Sequence, residues 1–545
     1  MKRKISLLAL LTIAIAGFLA LTTASPSFAA SQANKAGVSF SMSGQYIGKA
    51  FWSQNQSQLF TTTGAYPNSN SFEVFLQRLR MNGSISYDKL AHGMPLAAIF
   101  TQFDLTNAYN GVTNGYGSNG WQALGYTTVP TGFNHDFNTF GLRQAYIRFI
   151  TPIGAIMFGR MPVKFGLGVA VNTNADGVGD FIPLGNVGVF VGNLFGNETT
   201  AWNNGNTPTP IGALPPALYG YSHIQSGTIP TLEVMSLKPM NDVSWSAWLT
   251  EAHLNQFGAV LSSFLAANAA LSPTPPSPGS QSLLSESASA NITYGGLSAT
   301  YANKGTNVAG EFDYFRGDIM NSPYAFYNNA TTDDRTKIGS YDLYLTGSQL
   351  LNTSTPTTVG LKFGIGGPIS YQHLDMTYYS QIQNTRTLFG DVIGNNWQSI
   401  QLSAPGIDLF YNAPGEAMGT NLANRYTIMV DATEHFTGMN DLQESLVHAA
   451  WLKKSINGTD VFGGNDIGTE FDLNFTHHFT KTLAWQAWGA YVWTGSGVES
   501  ATTPAPNPVK QVPGNWFAPN QGSNNFANAS HKDITAIGTA IIWNF

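Results

Sequence analysis

The chain of 545 residues contains no cysteine and few charged residues. Without cysteine it cannot form a disulfide, a thiolate metal site, a c-type haem attachment or a lipid-modified cysteine. Asp, Glu, Lys and Arg make up only 10% of the residues, against about 25% in ordinary soluble domains. The net charge of −6 argues against a nucleic-acid-binding protein, which would carry a basic surface. The composition therefore disfavours a soluble globular domain.

Long apolar runs are absent beyond the first residues of the chain. Residues 2–4 are basic, residues 5–21 are uncharged, and Ser27 and Ala29 are the small residues that a signal peptidase requires. We predict a signal peptide over residues 1–29, cleaved after Ala29, with an uncleaved anchor helix as the alternative. No later run of about 20 apolar residues exists, so the sequence predicts no helical membrane span in the exported chain.

Aromatic residues (12%) and glycine (57 residues) are abundant instead. Residues 75–87 alternate: Leu79 and Met81 lie on one face of a predicted strand, and Arg78 and Arg80 lie on the other. A membrane protein without apolar helices can cross the bilayer on such strands only as a closed barrel, which pairs every backbone group.

Short and long connections alternate along the chain, as in outer-membrane barrels with short periplasmic turns and long outer loops. Short turns are predicted near residues 89–94, 151–154, 240–242, 303–307 and 480–482. The main long connections are predicted at residues 105–138, 164–229, 254–286, 319–337, 381–422 and 495–531. Residues 257–271 have helical composition, which predicts a loop helix that either enters the barrel mouth or packs on the surface.

The fold prediction is all-β: a transmembrane antiparallel up-and-down β-barrel over residues 30–545. Sixteen strands can be placed, and an even number returns both termini to the same side. Because residues 164–229 and 381–422 could each hide strands, eighteen is the alternative. The predicted location is the outer membrane of a Gram-negative-type bacterium, in contact with its lipid and lipopolysaccharide.

The last residues form a strand with one apolar face, and an edge strand of a soluble sheet is the alternative. Ile541, Trp543 and Phe545 lie on that face. This ending resembles the terminal strand of bacterial outer-membrane β-barrels. The resemblance implies that these three residues are an assembly signal and that the barrel-assembly machinery is a partner.

Two further stretches resemble a known family. Residues 467–495 contain a Gly468-x-Glu470-x-Asp472 strand, a short turn and an aromatic strand, and they are similar to the penultimate hairpin of alginate-export-type and related outer-membrane porins. Residues 142–149, with 158–160 and 165–168, resemble a hairpin common in bacterial porins. The resemblance implies passive passage of a hydrophilic solute, which in the alginate case is an anionic sugar polymer.

Mid-strand charges are expected to face the lumen, because Arg or Lys facing lipid costs about 2–4 kcal/mol at the membrane midplane. The candidate pore-lining residues are Arg78, Arg80, Asn82, Asp104, Arg148, Glu233, Glu470, Asp472 and Asn474, and the same argument selects Lys362 and Asp375. Arginines opposite carboxylates would form a transverse field that selects small polar solutes. The alternative is ordinary charge pairing in a polar interior.

Catalytic and metal-binding patterns are missing. No nucleophile elbow, P-loop or zincin motif occurs, and the adjacent His477 and His478 would point to opposite faces of a strand. We expect no enzyme activity, no metal site, no cofactor and no nucleic-acid partner. The predicted function is a porin-like channel for passive diffusion of small hydrophilic solutes or ions. The alternatives are a substrate-specific channel or exporter for sugars or anionic polymers, and a non-conducting structural or adhesion barrel. The sequence leaves open a monomer or a trimer.

Overall fold

A computed structural model describes residues 37–54, 71–87, 90–91, 94–110, 139–169, 171–195, 227–254, 289–320, 335–367, 373–374, 425–456, 459–460, 464–498 and 533–545. Among the sequence predictions, the signal peptide at 1–29, the loop helix at 257–271, Asp375 and the connection at 381–422 lie outside these residues. They stay predictions. Within the described residues, no helix is long and apolar enough to span a membrane.

The described residues form eighteen long strands, numbered here in chain order. They are Val38–Gln54 (β1), Ser71–Tyr87 (β2), Ala97–Asn110 (β3), Thr139–Ile150 (β4), Ala155–Lys164 (β5), Asn172–Leu184 (β6), Val187–Phe195 (β7), Gly227–Ser236 (β8), Val243–Leu254 (β9), Ser289–Asn303 (β10), Thr306–Met320 (β11), Arg335–Leu351 (β12), Thr357–Gly366 (β13), Arg425–Phe436 (β14), Asn440–Trp451 (β15), Asp466–His478 (β16), Leu483–Thr494 (β17) and Ile534–Asn544 (β18). The two-residue strand His373–Leu374 pairs in parallel with β12.

Each long strand pairs antiparallel with its neighbours in the chain, and β1 pairs with β18. That last register runs from Gln45 opposite Asn544 to Gln54 opposite Thr535. The sheet therefore closes on itself, and closure removes the exposed edges that an open sheet would present. The predicted antiparallel barrel is confirmed, and the number of long strands is eighteen.

Short turns join the strands at one end of the barrel. Thr151 to Gly154 connect β4 to β5, Gly185 and Asn186 connect β6 to β7, and Lys304 and Gly305 connect β10 to β11. Gly185 and Gly305 have φ values of 67° and 85°, which a residue without a Cβ adopts at little cost. The connections at the opposite end include all the long segments, so the predicted alternation of short and long connections is confirmed.

Residues 164–229 are not one long connection, which corrects the sixteen-strand count. They contain β6 and β7, joined by the two-residue Gly185–Asn186 turn. Residues 177 and 179 on the inner face of β6 are glycines, and the Phe190 ring of β7 occupies the space that a Cβ on Gly179 would need. Because glycine has no side chain, β6 lacks the alternation of large apolar and polar side chains that identifies the other strands in the sequence. The sequence also predicts a strand over residues 358–380, and this is too long, because β13 ends at Gly366.

The outer face of the barrel is apolar. Met42, Phe158 and Leu297 are 60%, 60% and 61% exposed, and they lie on β1, β5 and β10. Residues an odd number of positions away on the same strands point inward. Examples are Tyr294 on β10 and Met161 on β5, which are almost completely buried. This alternation is what a barrel surrounded by lipid requires.

The seam between β1 and β18 depends on a glycine. Gly44 and Phe545 exchange two backbone hydrogen bonds of 2.7 and 3.0 Å, and the Phe545 ring lies over Gly44. A Cβ on Gly44 would overlap that ring and lie 2.9 Å from the Arg80 carbonyl oxygen. The ring can turn aside, but the carbonyl cannot move without disturbing the pairing of β1 with β2.

We expect Gly44→Ala to destabilise the folded barrel by about 1–3 kcal/mol, the usual cost of overpacking. Urea unfolding of the barrel in lipid vesicles, followed by heat-modified mobility on gels, measures this. Gly489→Ala is the matched control, because a Cβ there would meet nothing closer than 3.8 Å. Equal stability of the two variants would show that the seam tolerates a side chain at residue 44.

Candidate functional site

Acidic side chains dominate the charged residues that face the barrel interior. The strand registers and the exposed apolar neighbours place eight carboxylates of the described residues inward: Glu233, Glu311, Asp313, Asp342, Asp431, Asp441, Glu470 and Asp472. The inward bases among the described side chains are Arg80, Arg148 and Lys362. Carboxyl groups therefore outnumber basic groups in the described interior.

The predicted pore-lining residues lie in three places around the barrel. On β2 and β4, Asn82 accepts a hydrogen bond of 2.7 Å from Gln102, and the Arg148 guanidinium lies 4.9 Å from the centre of the Phe100 ring. Glu470, Asp472 and Asn474 lie on β16, and Glu233 lies on β8, on the other side of the barrel. Arg80 lies opposite Asp104 in register. The side chains of Arg78 and Asp104, and residue Asp375, lie outside the described set.

A loop from Phe165 to Val171, between β5 and β6, folds into the interior. Its backbone contacts Glu233 on β8 and Glu311 on β11, which lie two and five strands away from β6 in the sheet. The loop therefore crosses the interior instead of following the wall. The loop is compact, since Phe165 donates a backbone hydrogen bond of 3.1 Å to Val171 and accepts one of 2.8 Å from Gly168. The lumen is narrowed where this loop crosses it.

The Glu311 carboxylate holds the loop by its backbone. Leu167, Gly168 and Val169 all donate their N–H groups to it, the last two at 3.2 and 2.9 Å. Consecutive N–H groups with alternating backbone handedness form a concave nest that binds anions, and Gly166 and Gly168 supply the positive φ values of 55° and 85°. A Cβ on Gly166 would lie against the Glu311 carboxylate and Ser298.

Glu233 makes a second, weaker attachment: it accepts one hydrogen bond of 3.3 Å from the Gly166 N–H. The loop is also anchored by aromatic packing. The Phe165 ring stacks on Trp248 with centroids 5.3 Å apart and lies 6.5 Å from Phe190. Offset aromatic pairs of this kind each contribute about 0.5–1.5 kcal/mol beyond their buried area, so the loop is fixed at both its polar and its apolar side.

Two buried carboxylates face each other next to Glu311. Asp313 and Asp342 lie directly opposite in register on β11 and β12, and both are fully buried. Like charges in this position repel each other. The Trp248 indole nitrogen and an Asp313 oxygen both lie where a Cβ of Gly296 would stand, so the absence of a side chain at residue 296 makes room for them. This part of the wall concentrates carboxyl groups beside the loop.

Sequence reasoning missed Glu311, Asp313 and Asp342. A signal for the first two was present, because Glu-Phe-Asp occurs twice, at residues 311–313 and 470–472. In both copies the acids face inward and the Phe faces outward, with Phe312 43% and Phe471 39% exposed. On β16, Ser445 donates a hydrogen bond of 2.8 Å to Asp472.

A histidine cluster at the short-turn end was also missed. The two oxygens of Asp441 contact the His435 Nδ1 at 2.8 Å and the His478 Nε2 at 3.2 Å. His477 contacts Asn440 instead, so the adjacent histidines point apart. In the described part of the chain no group of three or more His, Cys, Asp or Glu side chains could hold a metal ion.

Comparison with known proteins finds similarity only at the level of structure. No family model matches the chain, and no curated protein sequence matches it. Acinetobacter baumannii OccAB4 aligns with a TM-score of 0.43 and 10% identity, over 92% of this chain and 97% of that one.

Two Pseudomonas aeruginosa structures align similarly. The outer membrane protein OpdK has a TM-score of 0.42 and 8% identity, over 92% and 98% of the two chains. OccK5 (OpdH) has a TM-score of 0.41 and 8% identity, over the same shares. At TM-scores this low the likeness carries no argument, so the barrel assignment rests on the strand registers. The resemblance to alginate-export-type porins stays a prediction.

Proposed function

We propose that this protein is an outer-membrane channel for passive diffusion of small hydrophilic solutes, with a preference for cations. One observation carries the proposal: a closed barrel with an apolar outer face encloses eight inward carboxylates and three inward bases in its described residues. A barrel of this kind crosses a lipid bilayer. A lumen lined mainly by carboxylates attracts cations and repels anions.

The loop from Phe165 to Val171 in the barrel interior favours a narrow channel over a wide one. Its polar side is held by Glu311 and its apolar side by Trp248, so it stays in the lumen without a ligand. A channel narrowed by a fixed, acid-bound loop would select solutes by size and charge. This favours a selective channel for small neutral or basic solutes as the second candidate. It disfavours the anionic sugar polymer that the alginate-export resemblance implies.

Single-channel recording tests the proposal. The mature chain, refolded and inserted into a planar bilayer, should give discrete conductance steps, and the reversal potential under a KCl gradient should have the sign of a K⁺-selective pore. Folding is checked by heat-modified mobility on the same sample. A folded barrel without steps would leave the non-conducting alternative, and a Cl⁻-selective pore would contradict the role of the carboxylates.

The signal peptide at residues 1–29 and the assembly signal at Ile541, Trp543 and Phe545 belong to the same proposal. The assembly signal is supported by its position in the fold: Trp543 and Phe545 pack together at the seam, with ring centroids 5.1 Å apart. Delivery to the outer membrane would require both signals, with the barrel-assembly machinery as the partner.

A further inference from the structure

The short-turn end of the lumen carries a cluster of ionisable side chains that is separate from the acids around the loop. We call His435, Asp441 and His478 the mouth cluster. His435 and Asp441 lie opposite each other beside the turn that joins β14 to β15, and His478 is the last residue of β16. An even number of positions separates each of them from a buried inward residue on its own strand, so all three face the lumen.

A single carboxylate bridges the two imidazoles. Asp441 Oδ1 lies 2.8 Å from His435 Nδ1, and Asp441 Oδ2 lies 3.2 Å from His478 Nε2. On its other side, the His435 ring contacts the Thr358 hydroxyl, with Nε2 3.2 Å from Oγ1. A hydroxyl both donates and accepts hydrogen bonds, so Thr358 can donate to a neutral imidazole and accept from a protonated one. His435 therefore keeps both contacts whether it is neutral or charged.

Water of the lumen reaches all three side chains. The side chains of His435, Asp441 and His478 are 38%, 34% and 44% exposed, whereas the acids next to the loop on β11 and β12 are fully buried. Imidazole is the side chain that normally gains or loses its charge between about pH 5 and 8. The charge of the mouth cluster can therefore follow the pH of the solution.

The elements packed against the mouth cluster place other charged groups farther away or outside the lumen. The nearest of these groups are Lys362 on β13, Asp431 and Glu434 on β14, Glu444 on β15, Glu470 and Asp472 on β16, and Lys481 in the turn after β16. Those that face inward lie at least four residues farther along their strands than the cluster. Glu434 and Glu444 face outward, and Lys481 is exposed in the turn. The two histidines therefore dominate the change of charge with pH at this end of the described lumen.

We propose that the mouth cluster is a second selectivity site, at the periplasmic entrance of the channel, and that its charge reverses with pH. With both imidazoles neutral, the cluster carries the single negative charge of Asp441 and reinforces the preference for cations. With both imidazoles protonated, it carries one net positive charge and opposes that preference. Outer-membrane barrels place their short turns in the periplasm, so acidification on that side would reduce cation passage. The inference rests on the proposed channel function.

The reversal potential of single channels in a gradient of dilute KCl, recorded at pH 8 and at pH 5, tests the site. Two unit charges about 10 Å from a permeant ion in water change K⁺ partitioning roughly fourfold. Between pH 8 and pH 5, the K⁺ preference of the native protein should therefore fall about fourfold more than that of the double variant His435→Gln, His478→Gln. At about 0.01 M salt these interactions are largely unscreened.

His477 provides the matched control, because it is adjacent to His478 but lies on the opposite face of β16. It contacts Asn440 at 2.6 Å and stands edge-on to Phe479, with ring centroids 4.5 Å apart. His477→Gln should keep the native response to pH. Asp441→Asn removes the one negative charge of the cluster, so it should lower the K⁺ preference about twofold at pH 8.

Two results would overturn the inference: an equal response to pH in the native protein and the double variant, or loss of the response in His477→Gln. Acidification of one chamber at a time gives a second readout, since a site at one entrance should respond more strongly from that side. An equal response from both chambers would also contradict it. Heat-modified mobility confirms folding of each variant. Conducting channels without the histidine-dependent response reject the mouth cluster alone, whereas a folded native barrel without conductance steps rejects the channel function itself.

Discussion

Replacing Glu311 with alanine is expected to release the lumen loop and raise the single-channel conductance several-fold. The carboxylate accepts hydrogen bonds from Leu167, Gly168 and Val169. Hydrogen bonds to a charged group contribute about 1.5–3 kcal/mol each. The three bonds that this variant removes are therefore the strongest polar attachment of the loop among the described contacts. The aromatic anchor at Phe165 keeps one end of the loop in place, and the Leu167 tip should swing away from β11.

Two further variants separate loop release from the loss of a negative charge. Glu233→Ala removes a single contact of 3.3 Å with Gly166 and should raise the conductance only slightly. Asp431→Ala removes an inward carboxylate that lies against Gly360, away from the loop, and should leave the loop in place. If all three variants conducted alike, charge loss rather than loop release would explain the change.

The position of the loop can be followed directly. The Leu167→Cys variant carries a single thiol, because the natural chain has no cysteine. With Glu311 in place, this thiol should react slowly with a soluble maleimide. With Glu311→Ala added, the reaction should become much faster. Unchanged labelling together with unchanged conductance would show that aromatic packing alone holds the loop.

Most strands could be predicted because their two faces differ. Residues 75–87 and 467–479 alternate between large apolar and polar side chains, so both the strand and the inward face follow from sequence. Strands β6 and β7 could not be recognised in this way, since glycines such as Gly179 and Gly192 occupy inward positions beside the Phe190 ring. Large inner side chains there require small partners, and that pairing is visible only in three dimensions.

The lumen site was predictable only in part. Glu470 and Asp472 were selected from their strand, and the same reasoning applied to residues 311–313 would have selected Glu311 and Asp313. The capture of the loop by Glu311 could not be predicted. It joins Val169 to a residue 142 positions later, and it depends on the backbone of Gly166 and Gly168 rather than on any side-chain motif.

Removing four inward carboxylates is expected to abolish most of the cation preference. The variant carries Asp313→Asn, Asp342→Asn, Glu470→Gln and Asp472→Asn, which leaves four inward carboxylates and three inward bases among the described side chains. A unit charge about 10 Å from a permeant ion in water contributes roughly 0.4 kcal/mol. Because Asp313 and Asp342 repel each other in a buried position, the four groups carry fewer than four full charges, and together they contribute up to about 1.7 kcal/mol, or at most about an eighteenfold change in K⁺ partitioning.

The reversal potential in dilute KCl is the appropriate measurement, because the Debye length of about 30 Å at 0.01 M leaves these interactions largely unscreened. The neutralised variant should approach a non-selective pore, and the difference from the native protein should shrink at 1 M salt. Arg148→Gln is the control of opposite sign: it removes a base from the other side of the lumen and should increase the cation preference. A native reversal potential in the quadruple variant would mean that selectivity is set by groups other than these carboxylates, and the acid-lined wall would then be a structural feature of the barrel interior.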